Sequence, residues 1–215
     1  MRRSIGLCLG AALMAALFSS GTARAKDADV SANQVYRLHM FHTHTGETID
    51  VVYRIGNRYL PAAIDKLNHF LRDHRTQSES HYDPKEFDVL HDIMAKLGRP
   101  DGEIDIVCGY RTPWSNNFLR TRSADTGVAK NSQHVQAKAI DIRVPGVSTA
   151  KLRDTALSLH AGGVGYYPVS QFVHVDVGPV REWQYGHAGA ASKRSIARVS
   201  RHSRHHRADS IASGE

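Results

Sequence analysis

His134 and Asp141 stand seven residues apart, and His174 follows thirty-three residues later. Two imidazoles and one carboxylate, with no fourth protein ligand nearby, match the composition of a catalytic zinc site. In such a site water takes the open position and is acidified toward neutrality, which makes it a nucleophile. The chemistry on offer is metal-assisted hydrolysis, and the reading is a metallopeptidase.

Two strands are expected to carry these groups. In residues 139–144, Ile140, Ile142 and Val144 share one face, and Asp141 points the other way. In residues 172–177, the three valines share a face while His174 and Asp176 share the opposite one. If the strands are neighbours, Asp141, His174 and Asp176 converge, and His134 closes the site from the preceding turn. Spacing alone leaves a plainer alternative open, in which both strands simply turn polar residues to water.

The remaining elements fit one domain of roughly 160 residues. Residues 35–41 and 47–53 flank His42-Thr43-His44-Thr45-Gly46 as a hairpin. Leu60, Ile64, Leu67 and Leu71 form a helical stripe within residues 60–75. Asp83-Pro84 starts a second helix, striped by Phe87, Leu90, Met94 and Leu97 and stopped by Gly98. A strand at 104–108 runs into Gly109-Tyr110-Arg111. Ser148 caps a third helix that is expected to reach Gly162-Gly163, and the segment 165–168 turns into the last strand. Helices from the first half would thus pack a small antiparallel sheet that carries the site, an α+β domain.

The ends read differently from the body. Arg2 and Arg3 precede an uncharged apolar run at 5–18, and Ala23-Arg24-Ala25 is a cleavage site of the A-x-A kind. Residues 1–25 are therefore expected to be a secretory signal, by the general export route rather than the twin-arginine one, followed by a linker at 26–35. The formal charge of +7 divides into three net positive charges in residues 1–25 and four in 188–215. The body is left neutral, which argues against a nucleic-acid-binding domain. Residues 188–215 lack apolar periodicity and read as a disordered basic tail, open to anionic envelope polymers. Signal removal leaves Cys108 as the single cysteine, so no internal disulfide can form, which suits a bacterial periplasm. Cys108 itself reads as buried strand packing.

The pattern Ser132-x-His134-x-x-Ala137-x-Ala139-x-Asp141, preceded by Gly109-Tyr110-Arg111, resembles the core of zinc D-alanyl-D-alanine carboxypeptidases and their murein endopeptidase relatives. The likeness extends to the exported murein endopeptidase branch through His44-Thr45-Gly46-Glu47, Leu67-Asn68-His69-Phe70-Leu71-Arg72-Asp73, Gly127-Val128-Ala129-Lys130, the segment 161–168, and Phe172-Val173-His174-Val175-Asp176. It spans nearly all of residues 36–183 and implies a zinc peptidase domain over 36–187, of hedgehog or D,D-peptidase type. By this resemblance His134, Asp141 and His174 are the zinc ligands, and Arg111 stands beside the metal to hold an oxyanion or a substrate carboxylate.

One position departs from the pattern. Many carboxypeptidases of the group carry an acid three residues before the last histidine, where this chain has Gln171. Asp176 is the nearest carboxylate and is expected to be the general base, with a role as partner of His174 as the alternative. Ser132, Tyr166 and Tyr167 are the candidate substrate-binding residues. The resemblance implies peptidoglycan stem peptides as substrate and an endopeptidase cutting cross-links, including the L,D link between two diaminopimelate residues. A D,D-carboxypeptidase and a non-catalytic, zinc-stabilised binding module are the alternatives.

Overall fold

The computed structural model describes residues 33–122 and 126–186. The expected signal sequence, most of the linker and the basic tail lie outside the described residues. No described helix is long and apolar enough to cross a membrane.

Eight strands form one sheet: β1 (Val35–His42), β2 (Thr48–Ile55), β3 (Arg58–Tyr59), β4 (Glu103–Cys108), β5 (Ala139–Arg143), β6 (Gly163–Tyr167), β7 (Phe172–Asp176) and β8 (Arg181–Gln184). Their spatial order is β3-β2-β1-β4-β5-β7-β6-β8. The domain is α+β as expected, but the sheet is larger than foreseen and mixed. β1 runs parallel to β4, and β6 parallel to β8. The parallel β1–β4 pair arises because two helices, α1 (Pro61–Phe70) and α2 (Lys85–Lys96), lie between those strands in sequence.

One face of the sheet is apolar. Met40, Ile104, Ile106, Ile140, Ile142 and Val173 are fully buried there, with Leu67 of α1 and Phe87, Leu90 and Ile93 of α2 in the same core. The last helix on this side, α4 (Thr149–Leu157), packs on β6, β7 and α2. Alternation along β5 and β7 then sends Asp141, His174 and Asp176 to the opposite face.

Three helix ends show sequence and tertiary contacts in competition. Asp83 starts α2 as expected, its carboxylate accepting from Lys85 N at 3.1 Å. α1 stops at Phe70, short of the expected Arg75. The buried Asp73 carboxylate accepts from Thr112 N and Thr112 Oγ1, each at 2.8 Å, which ties the end of α1 to the loop after β4. α4 stops at Leu157 rather than at Gly162, and residues 163–167 form a strand instead. A third unexpected piece, α3 (Pro113–Arg120), begins directly after Arg111, with Thr112 capping it through Ser115 N at 3.1 Å.

His42 ends β1 fully buried, edge-on to Phe70 at 5.8 Å and near His74 at 6.1 Å. Burial first, and then repulsion from His44, pushes it down from 6.5 to about 4. The unfolded chain therefore takes up this proton before the folded one does. Stability from a neutral His42 is complete above 6.5 and is lost as pH falls toward about 4. Thermal unfolding followed across that window should show Tm dropping by on the order of 5 °C or more on the acid side. His42→Asn keeps an acceptor for His44 N without a titrating ring, so its acid limb should be flatter. An unchanged slope in that variant would remove His42 as the cause.

Candidate metal centre

Asp141 on β5 and His174 on β7 are direct cross-strand partners in an antiparallel pair. That register alone places their Cβ atoms about 4.5–5.5 Å apart. His134 arrives from a separate piece, the 3-10 turn Gln133–Gln136, whose end is fixed by Ala137 in the left-handed region at φ 51°. Ser132 caps this turn, its Oγ accepting from His134 N at 3.3 Å.

Three atoms meet. His134 Nε2 lies 3.2 Å from Asp141 Oδ1 and 3.1 Å from His174 Nδ1, and His174 Nδ1 lies 2.9 Å from the same carboxylate oxygen. Donors about 2.0–2.1 Å from a tetrahedral zinc lie about 3.3 Å from one another, so the spacing fits that ion.

The outer nitrogens explain why the inner ones are free to ligate. His134 Nδ1 is 2.8 Å from the carbonyl of Gly109, and His174 Nε2 is 3.0 Å from Asp176 Oδ2. Each acceptor takes the ring proton, which leaves the lone pairs of His134 Nε2 and His174 Nδ1 pointing inward. With both rings neutral in this tautomer, two lone pairs and a carboxylate oxygen lie within 3.2 Å of one another, a repulsion that a cation among them would relieve.

Charge follows the same geometry. Burial, with Arg111 next, lowers His134 to about 4 and keeps it neutral. Burial opposes ionisation of Asp141, but His134 and His174 outweigh it and hold the carboxyl well below the usual range. Burial would also lower His174, yet its bonds to Asp141 and Asp176 raise it overall.

The sulfur of Cys108 falls within 4.8 Å of the His134 and Asp141 ligand atoms, because Cys108 pairs with Asp141 across a bulge in β4. Burial pushes the thiol up to about 12 in the absence of a cation, and His174 Nδ1 stands nearer the other two donors, at 3.1 and 2.9 Å.

Two expectations are corrected here. Asp176 does not line the cleft. Its carboxylate stands behind His174 and accepts from Gly163 N at 3.1 Å, Gly178 N at 2.8 Å and both Arg181 Nη atoms, at 3.0 and 2.6 Å. Burial opposes its charge, but His174 and Arg181 prevail and keep it ionised. This placement suits a partner that holds the His174 ring. Tyr166, expected to line the groove, points to the other face of β6 under Arg153, 4.5 Å from the ring centre, because neighbours on a strand alternate. Tyr167 does line the cleft, stacked on Phe172 at 4.3 Å. Gln171 sits in the exposed β6–β7 turn, away from the cleft.

Arg111 and Ser132 are both buried at the cleft and joined by a 3.1 Å bond from Nη2 to Oγ. No described carboxylate forms an ion pair with Arg111, and its Nε has no acceptor among the described residues.

Sequence reasoning missed Arg181, Trp183 and Tyr185, which come from β8 and the residue after it. Gly163 and Gly165 were the available signal, since alternate glycines in a strand mark close approach by a neighbour. A Cβ on Gly163 would meet Arg181 Nη1 at 2.4 Å, and one on Gly165 would meet the Trp183 indole at 2.5 Å. The space left by these glycines lets Arg181 reach Asp176 and Trp183 lie 5.0 Å from His174. Gly165→Ala is expected to cost about 1–3 kcal/mol, read as a lower Tm, with the indole displaced.

The sequence profile of the family described as peptidoglycan L,D-endopeptidase MepK, a peptidase family, matches residues 30–183. The chain belongs to this family. It is a peptidase. A relative from Haemophilus influenzae, a probable peptidoglycan L,D-endopeptidase MepK, is 43% identical over 141 residues, covering 66% of this chain and 75% of the relative. The peptidoglycan L,D-endopeptidase MepK of Escherichia coli K12 is 42% identical over 146 residues, or 68% of this chain and 79% of the relative, and the Shigella flexneri protein gives the same figures. No solved structure gives a significant match.

For this member of the peptidase family, Asp176→Asn tests the role of that carboxylate. An amide that donates to His174 Nε2 forces the proton onto Nδ1, the atom that faces the cluster. Metal affinity should fall by about 10–100-fold, and activity should recover in part at high metal concentration. Unchanged metal affinity would argue against an orienting role.

Proposed function

We propose that this protein is an exported zinc endopeptidase that hydrolyses peptide cross-links of peptidoglycan, including the L,D link between two diaminopimelate residues. The observation that carries the reading is the set of three inward donors at 2.9–3.2 Å, with both histidines held by acceptors behind them. The names of the relatives support the substrate class. Export in this reading belongs to residues 1–25, the catalytic domain to 36–187, and contact with anionic envelope polymers to the tail.

His134, Asp141 and His174 would hold the zinc. When bound, zinc supplies the acidity that makes water a nucleophile near neutral pH and draws electrons from the scissile carbonyl. Asp176 keeps the His174 ring in its ligating tautomer, and the Gly109 carbonyl does the same for His134. Arg111, anchored by Ser132, donates to the carbonyl oxygen as negative charge develops there. Tyr167, Trp183 and Tyr185 line the cleft together with residues 126–129 and 131, and the Tyr185 ring lies against Gly127.

An endopeptidase needs room on both sides of the bond it cuts. The cleft, of about 200 Å³, has beside it a second hollow bordered by Arg120, Arg181 and Trp183, and the two share residues 126–129 and 131. Room on that side suits a substrate that extends beyond the bond to be cut.

Digestion of purified, cross-linked sacculi with and without chelator, followed by chromatography of the fragments, tests the proposal. Cross-linked dimers should become monomers only when metal is present, and the new ends identify the bond. Release of a terminal D-alanine alone, or binding without new fragments at full zinc loading, would overturn it.

A further inference from the structure

Hydrolysis of a peptide bond puts negative charge on the scissile carbonyl oxygen, and donors already in place there lower the barrier. Among the described residues lining the cleft, Asp141 is the one carboxylate, and it belongs to the metal cluster. Asp176 lies behind His174, so neither acid is a donor to that oxygen. Tyr167 adds a neutral hydroxyl to the same cleft, and the fold fixes its direction.

The phenol ring is clamped on two sides. It stacks on Phe172, with centres 4.3 Å apart and planes 15° from parallel, and Tyr185 lies 5.9 Å away. The stack follows from register, since Phe172 is the cross-strand partner of Tyr167. The Tyr167 hydroxyl oxygen accepts from Trp183 Nε1 at 3.0 Å. An indole nitrogen can only donate, so the phenol must use a lone pair here and direct its own proton elsewhere. No described residue accepts that proton.

The same indole marks where the hydroxyl stands. Trp183 lies over Gly165, its Nε1 2.8 Å from where a Cβ would be. Gly165 is the cross-strand partner of His174, and the indole and imidazole centres are 5.0 Å apart. The hydroxyl is thereby brought beside the row of strand residues that holds the metal cluster. Arg111 follows β4 and Tyr167 ends β6, so they approach from either side of the β5–β7 pair that carries Asp141 and His174.

We infer that the Tyr167 hydroxyl, aimed by Trp183, is a catalytic hydrogen-bond donor to the scissile carbonyl oxygen, opposite Arg111. The inference rests on the proposed peptidase reaction and adds a second donor to it. The proton stays on the phenol throughout; only the strength of the hydrogen bond changes as charge develops.

Tyr167→Phe deletes the hydroxyl and keeps the ring on Phe172. On soluble cross-linked muropeptide dimers, kcat of the zinc-loaded variant should fall by about 100-fold, with KM and zinc content unchanged. A phosphinate isostere of the scissile bond, which carries the tetrahedral oxygens, should bind the variant more weakly in the same proportion. Trp183→Phe should also lower kcat, and adding it to Tyr167→Phe should cost little more, because it acts through the phenol. A raised KM at constant kcat would make Tyr167 a wall of the groove and overturn the inference. Loss of zinc, or phosphinate binding equal to that of the parent, would overturn it too. Independent losses from the two substitutions would remove Trp183 as the group that aims the hydroxyl. A parent that cuts no dimer at full zinc loading sinks the peptidase reaction and the inference with it, whereas an active parent matched by Tyr167→Phe sinks the inference alone. Thermal unfolding of each variant separates these outcomes from loss of the fold.

Discussion

His134→Ala is expected to abolish hydrolysis of cross-linked sacculi and to strip most of the metal from the purified protein. The residue contributes Nε2 to a cluster in which Asp141 Oδ1 and His174 Nδ1 are the other donors within 3.2 Å among the described residues. Two ligands hold zinc far more weakly than three, and the Gly109 carbonyl also loses its partner. Structural damage should be modest by comparison, because the Arg111 N to His134 O bond and the 3-10 turn are made by backbone. Elemental analysis alongside fragment chromatography reads both effects in one preparation. A variant with normal zinc content and normal cleavage would remove His134 from the centre, and with it the proposed chemistry.

Arg111→Ala is expected to leave the metal in place and to lower turnover by about 100–1000-fold, the usual effect of removing one preorganised donor from a developing oxyanion. The guanidinium is buried at the cleft with Ser132 Oγ as its recorded partner, and it pairs with no described carboxylate. A charge held this way costs desolvation that no ion pair among the described residues offsets, which suits a group kept for substrate. If Arg111 instead holds a substrate carboxylate, KM rises and kcat changes little. If it is only structural, Tm drops and both kinetic constants follow. Arg111→Lys should recover little, since one ammonium cannot reach both Ser132 and a substrate oxygen with the same planar fork.

Much of the site could be read from alternation. Asp141 opposite His174, with both on the polar side of valine- and isoleucine-backed strands, is what period two demands once β5 and β7 are neighbours. The hairpin of β1 and β2, the start of α2 at Asp83 and the Ser148 cap of α4 were equally legible, because each depends on residues close in sequence. The errors have one source. α1 ended early because Asp73 serves Thr112, thirty-nine residues away. Residues 163–167 became a strand because β7 lies on one side and β8 on the other. Asp176 was expected in the cleft because it shares a face with His174, but register and Arg181 turn it behind that ring.

The sequence by itself determined which side chains are candidates for the chemistry, which face of each strand they occupy and which peptidase group the pattern resembles. These are matters of residue type and local period, and both survive without knowledge of the fold. The tertiary structure alone decided which nitrogen of each histidine points inward, that the Asp176 carboxylate stands behind His174 rather than in the cleft, and that β8 brings Trp183 beside His174. Those outcomes depend on hydrogen bonds and close approaches between segments far apart in the chain, and no local pattern encodes the direction in which a side chain finds its partner.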